Sequence, residues 1–109
     1  MSYHPPHLDR DRLDQLIDMA KRDQIRKKLL DQLADGRYHS TSMLTRNLKY
    51  LDQSIGIVRV ATILDEFQSL LGEEMLQKNP TTDVAEWRVN PAYIDFLQEV
   101  IKKTDGFFE

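Results

Sequence analysis

From Leu8 to Leu71 the apolar residues fall mostly at three- and four-residue steps; after Gly72 the period shortens to two, and beyond Asn90 it lengthens again. Leu8, Leu13, Leu16, Ile17 and Ala20 mark an amphipathic helix beginning at Leu8 or Asp9. The spacing continues less regularly through Ile25, Leu29, Leu30 and Leu33, with a break at Lys21-Arg22-Asp23, where Asp23 can cap a new helix. Two helices, or one kinked helix, should end at Ala34, since Asp35-Gly36 is a stop and glycine supplies the left-handed closing residue. Arg37-Tyr38-His39 reads as an extended link. A cap at Ser40 or Thr41 then opens a helix with Met43, Leu44, Leu48 and Leu51 on one buried stripe, ending near Tyr50. After the turn Asp52-Gln53-Ser54, the residues Val60, Ile63, Leu64, Phe67, Leu70 and Leu71 form a second stripe, closed by Gly72.

The change of period predicts a hairpin. Met75 and Leu76 lie in its first strand, Lys78 to Asp83 form a turn-rich loop, and Val84 to Val89 return with Ala85, Trp87 and Val89 facing inward and Glu86 and Arg88 facing water. Asn90-Pro91 starts a last helix, whose buried stripe is Ile94, Leu97, Val100 and Ile101 and whose end is Thr104-Asp105-Gly106. The domain organisation expected is a flexible arm over residues 1–7, a single domain over 8–104 and a tail over 105–109.

Composition narrows the class without changing the elements. Forty per cent apolar and 30% charged residues in a chain of 109 fit one globular domain, and no apolar run approaches the roughly 20 residues of a bilayer span. The N-terminal residues have no hydrophobic signal region and the chain has no cysteine, so a cytoplasmic bacterial or phage setting is expected. The net charge of −3 hides an asymmetry: residues 1–50 carry ten Lys and Arg against seven Asp, and residues 51–109 carry five against eleven Asp and Glu. The first half could touch phosphate; the second would resist it.

Helix, extended link, helix, turn, helix, hairpin, helix is the element order of a winged helix-turn-helix domain, and over Ile25 to Ile101 the chain resembles that superfamily. The stretch from Tyr38 to Phe67 also resembles small ArsR-like winged-helix proteins of Mu-like prophages. It has a tyrosine entering the first helix of the motif, then Val60, Thr62, Leu64 and Phe67 along the second. Gly56 and Ile57 stand where those proteins carry a polar, Arg-containing helix start. The resemblance implies an α+β, mostly helical fold with an N-terminal helical extension, a two-stranded wing and a C-terminal helix. It also implies a DNA-binding transcriptional regulator, possibly encoded by a phage or mobile element, whose recognition helix runs from about Ile57 to Leu71 and enters the major groove.

On that docking the candidate DNA contacts are Arg59 and Thr62 on the helix, with Lys78, Asn79 and Thr81 on the wing; Glu66 and Ser69 are further exposed candidates. Between Gly56 and Asp83 two cations face five acidic residues, a net −3 that weakens phosphate binding, so Arg37, Arg46 and Lys49 near the preceding helix are alternative contacts. The alternative reading, second to DNA binding, is a winged-helix protein-interaction module that uses this acidic face against a basic partner instead of DNA. Surplus apolar residues near both ends, Leu13, Leu16, Ile17 and Ala20 with Phe107 and Phe108, suggest a homodimer.

Catalytic chemistry is not legible. His4 and His7 are separated by two prolines and have no supporting cysteine for a metal site. His39 beside Ser40, Thr41 and Asp35 is more simply a helix cap with a neighbouring imidazole than a nucleophile with its base. No phosphate loop, HExxH or paired-carboxylate motif occurs, so neither enzyme activity, cofactor nor metal is expected. The basic run Lys21-Arg22-Asp23-Gln24-Ile25-Arg26-Lys27-Lys28 reads either as a nucleic-acid contact or as a charged helix face balanced by Asp18, Asp23 and Asp31. Trp87 reads as a core aromatic on a strand in preference to a stacking platform for a base.

Overall fold

The computed structural model describes residues 10–80 and 84–108; the arm expected over residues 1–7, the helix start at Leu8 or Asp9, and Thr81 lie outside them. The fold is α+β and mostly helical, with a three-stranded antiparallel sheet. Helix α1 (Arg10–Ala20) buries Leu13, Leu16, Met19 and Ala20. The chain then breaks where the sequence predicts: Asp23 is extended, and its carboxylate accepts from the Arg26 amide at 2.8 Å to start α2 (Gln24–Gln32). A 3-10 turn over Leu33–Asp35 ends at Gly36, whose φ of +72° is the left-handed closure expected.

The link after Gly36 contains a strand that the periodicity does not predict. Strand β1 (His39–Ser40) pairs antiparallel with β3 (Glu86–Val89), aligning His39 with Trp87, and β3 pairs on its other side with β2 (Leu76–Lys78). The expected two-stranded hairpin is therefore two-thirds of a sheet ordered β1-β3-β2. Met75, expected in the first strand, is buried just before it. Glu86 and Arg88 are half-buried and not fully solvated, because Asn79 Nδ2 donates to Glu86 Oε1 and Arg88 Nε donates to Gln77 Oε1 at 2.8 Å.

Ser40 ends β1 and caps α3 (Thr41–Arg46), its hydroxyl accepting from the Met43 amide at 3.0 Å. The buried face of α3 is Thr41, Leu44, Thr45 and Leu48, so Met43, expected on the stripe, sits beside it and is 46% exposed. The α-helix also stops before Tyr50. Gln32 Nε2 of α2 donates to Leu44 O, and the Leu48 amide bonds to Thr45 O instead, which tightens the chain into turns through Tyr50.

Helix α4 (Ile57–Leu71) buries Val60, Ile63, Leu64, Phe67 and Leu71 and ends at Gly72; Leu70 is half-buried. Asn90 caps a 3-10 turn (Pro91–Tyr93) that runs into α5 (Ile94–Thr104), where Leu97 and Val100 are buried and Ile94 and Ile101 half-buried. α1 packs on α2, α4 and α5, so Leu13, Leu16 and Ala20 are consumed in the chain's own core and do not form the dimer surface expected of them. Phe107 and Phe108 fold back: their rings meet edge to face at 4.9 Å, and Lys21 Nζ lies 5.2 Å from the Phe107 centroid. Among the described residues, no helix is long and apolar enough to cross a membrane, and no group of three or more His, Asp or Glu is placed to hold a metal ion.

Candidate nucleic-acid interface

The connection between α3 and α4 is a braced turn. Asp52 Oδ1 accepts from the Ser54 amide at 2.9 Å and from the Ser54 hydroxyl at 2.6 Å, and Ile55 is buried at 2% exposure. Those Ser54 hydrogen bonds hold the Asp52 carboxyl below its ordinary range. Lys49 Nζ spans the same turn and donates to Gln53 O and Ile55 O, so this candidate DNA contact is used within the turn. Gly56 then starts α4 in an extended conformation without a side-chain cap.

The inward stripe of α4 dictates its outward one. With Val60, Ile63, Leu64, Phe67 and Leu71 buried, positions 58, 62, 65 and 69 lie opposite, and Val58, Thr62, Asp65 and Ser69 are all exposed. Ile57 and Arg59 flank the start of this stripe and are exposed as well. Glu66, by contrast, is half-buried and held by α2: Arg26 Nη2 reaches its Oε2 at 2.9 Å while Nη1 bonds Asp23. Burial disfavours the Arg26 charge, but bonds to Glu66 and Asp23 outweigh it and raise the guanidinium pKa. One of the five acids counted against this face is thus neutralised by pairing.

The remaining predicted contacts divide by use. Arg37 and Arg46 are exposed, the first in the link before β1 and the second in the last turn of α3. Lys78 is exposed at the end of β2 with its ammonium 5.2 Å from the Trp87 ring centroid. Asn79 is half-buried and closes the β2–β3 hairpin through its amide nitrogens to Glu86. Ion pairs among the described residues engage Arg26, Lys27, Lys28, His39 and Lys103, and none engages Arg37, Arg46, Arg59 or Lys78.

The basic run of α2 is mostly spent on structure. Lys27 is 6% exposed, with its ammonium 2.7 Å from Asp31 and 3.5 Å from Asp105, and Arg26 is bound as described. Trp87 is 2% exposed and faces the core as predicted; its indole N–H donates to Thr41 Oγ1 at 3.1 Å, and Thr41 donates in turn to Ala85 O. This bond fixes β3 against the start of α3.

Two features escape prediction from the sequence. Ile57 is 50% and Val58 81% exposed at the first turn of α4. Ile57 continues the buried stripe of Val60 and Leu64 to the open end of the helix, whereas Val58 is an apolar residue out of phase with that stripe. Arg88 lies over the Tyr38 ring at 4.6 Å, in an open groove of about 630 Å³ that Lys78 and Gln68 also line. Comparison with known proteins finds no matching family model, no matching curated protein and no matching solved structure.

Proposed function

We propose that this chain is a winged helix-turn-helix domain that binds duplex DNA and serves as a small transcriptional regulator. The observation that carries the reading is the outward stripe of α4, which the fold leaves uncovered along the helix that follows a braced turn. An α-helix fits the major groove, and residues of its first turns are those that reach base edges. Arg59 is exposed in the first turn of this helix, Arg46 in the last turn of the helix before it and Lys78 on the hairpin after it, cations available for phosphate contacts that flank a reading helix. α1 and α5 complete the core and take no part in the contact.

Fluorescence anisotropy of a labelled random duplex at two salt concentrations tests the reading. Binding should weaken with salt, and Arg59→Ala and Lys78→Ala should each lower the slope of log K against log salt by about 1. Lys27→Ala should not, because its ammonium is engaged with Asp31. A second reading is favoured by Asp65, Glu73 and Glu74, all exposed on α4 or just after its C-terminus, with exposed Ile57 and Val58 at the other end of the same helix. On that reading the domain docks a basic, apolar protein segment, and absence of duplex binding at low salt would select it.

A further inference from the structure

We infer that α4 recognises its DNA chiefly through thymine methyl groups; the inference rests on the DNA-binding reading above. The argument begins with the donors that α4 lacks. Bases are most often read by Arg or Lys on guanine and by Asn or Gln on adenine. α4 has no lysine and no asparagine, and its one glutamine, Gln68, donates its amide to Leu76 O at 2.9 Å. Its one arginine, Arg59, stands exposed beside the outward stripe and not on it, which leaves it to the phosphate backbone in this docking.

The first two turns instead present Ile57, Val58 and Thr62. Thr62 is polar only in name here, since its hydroxyl donates to Val58 O at 2.9 Å and its proton is committed to the helix. What it offers outward is a methyl group and an acceptor oxygen. Val58 and Thr62 are one turn apart on the same face. In the major groove the apolar feature of a base pair is the thymine C5 methyl, and side-chain methyl groups are its partners. Asp65, next along the stripe, can only accept, which matches the cytosine amino group and disfavours a phosphate. Arg46, Arg59 and Lys78 are exposed and without ion-pair partners among the described residues, and the pairing of Glu66 with Arg26 removes one of the acids that oppose them. The proposed specificity is therefore thymine at the positions met by Val58 and Thr62, read by apolar contact in place of bidentate hydrogen bonds.

Uracil tests this directly, because it differs from thymine by the C5 methyl alone. A randomised duplex pool is enriched on the immobilised protein at low salt, then copied with either thymidine or deoxyuridine triphosphate, and the two copies are titrated in parallel. Burying one methyl group changes an equilibrium constant about fourfold, so loss of two contacts weakens the uracil copy about fifteenfold. Val58→Ala should shrink the ratio between the copies, while Arg59→Ala should weaken both alike and leave the ratio intact. The 81% exposure of Val58 keeps its substitution from disturbing the core, which circular dichroism verifies. Equal binding of both copies overturns the methyl reading and leaves DNA binding standing. Binding of neither copy at low salt overturns the DNA reading itself and this inference with it.

Discussion

Replacing Thr41 by valine should unfold this protein at markedly lower urea, although the two side chains are nearly the same size. Thr41 is 5% exposed and Trp87 2%, and the hydroxyl accepts the indole N–H at 3.1 Å while donating to Ala85 O at 3.3 Å. Valine keeps the volume and leaves the indole N–H facing a methyl group. The second bond matters less, because Ala85 O still accepts the residue-41 amide at 3.0 Å. An orphaned buried donor costs about 1–3 kcal/mol, so the expected loss is about 2 kcal/mol. With an m-value of about 2 kcal/mol/M the urea midpoint falls by about 1 M. Circular dichroism at the helical bands follows the transition in every variant, since Trp87 is the only tryptophan and cannot report once it is replaced. The assignment of cause comes from Trp87→Phe, which removes the donor. In that background Thr41→Val should be nearly neutral, giving a coupling energy of about 1–2 kcal/mol. If Thr41→Val has the same effect in both backgrounds, the indole N–H is not the desolvated group and the reasoning fails.

Three further outcomes follow from other local arrangements. Burial acts to raise the Asp35 pKa, but the Arg37 amide and the His39 ring, 2.9 Å from its carboxylate, hold it below the ordinary carboxylate value. A depressed folded pKa gives stability that is present above the unfolded value of about 3.9 and lost as pH falls through the folded one. Thermal midpoints of wild type and Asp35→Asn should thus differ near neutrality and converge in acid; a constant gap would exclude this carboxylate as the source. Gly36→Ala should cost about 1–2 kcal/mol in chemical denaturation, since φ is +72° and the new Cβ would lie 3.3 Å from Ile94 Cδ1. Lys27→Met should lie within about 1 kcal/mol of wild type, whereas Asp31→Ala should cost about 1–2 kcal/mol because it leaves the buried ammonium with only the more distant Asp105. The reverse order in paired melts would show that the pair itself supplies the stability.

How far the sequence could be read depends on whether an element carries its own signal. α2 and α4 did: Asp23 and Gly36 bound the first with local cap chemistry, and Val60 to Leu71 repeat the helical period over the whole second element. β1 did not, because two residues cannot display an alternation, and it becomes a strand only through β3, which pairs His39 with Trp87 and Ser40 with Glu86 far along the chain. The end of α3 was likewise hidden, since Gln32 of α2 takes the Leu44 carbonyl that would have continued the helix. Met43 missed the stripe for a simpler reason: it neighbours Leu44 in sequence and so points about 100° away around the helix. At the candidate interface Arg59 and Thr62 were legible as exposed positions of a periodic helix, but the internal use of Lys49 and Asn79 required the turn and the hairpin to be closed first.

That distinction between charge counted and charge available bears on function. The densest basic run, Lys21 to Lys28, is the most obvious nucleic-acid signal in the chain, yet folding ties Arg26 to Asp23 and Glu66, Lys27 to Asp31 and Lys21 to an aromatic ring. The same pairing removes Glu66 from the acidic face of α4. Folding therefore moves the two regions in opposite directions: α2 loses apparent affinity for phosphate, and α4 loses part of its repulsion. A cation that is already hydrogen-bonded inside the fold must give up that bond to reach DNA, whereas Arg46 and Arg59 give up only water, Lys78 leaves its contact with the Trp87 ring, and condensed counterions gain freedom when they bind. For this reason variants at Arg59 and Lys78 should control the salt dependence of binding, and variants at Lys27 should act on stability alone.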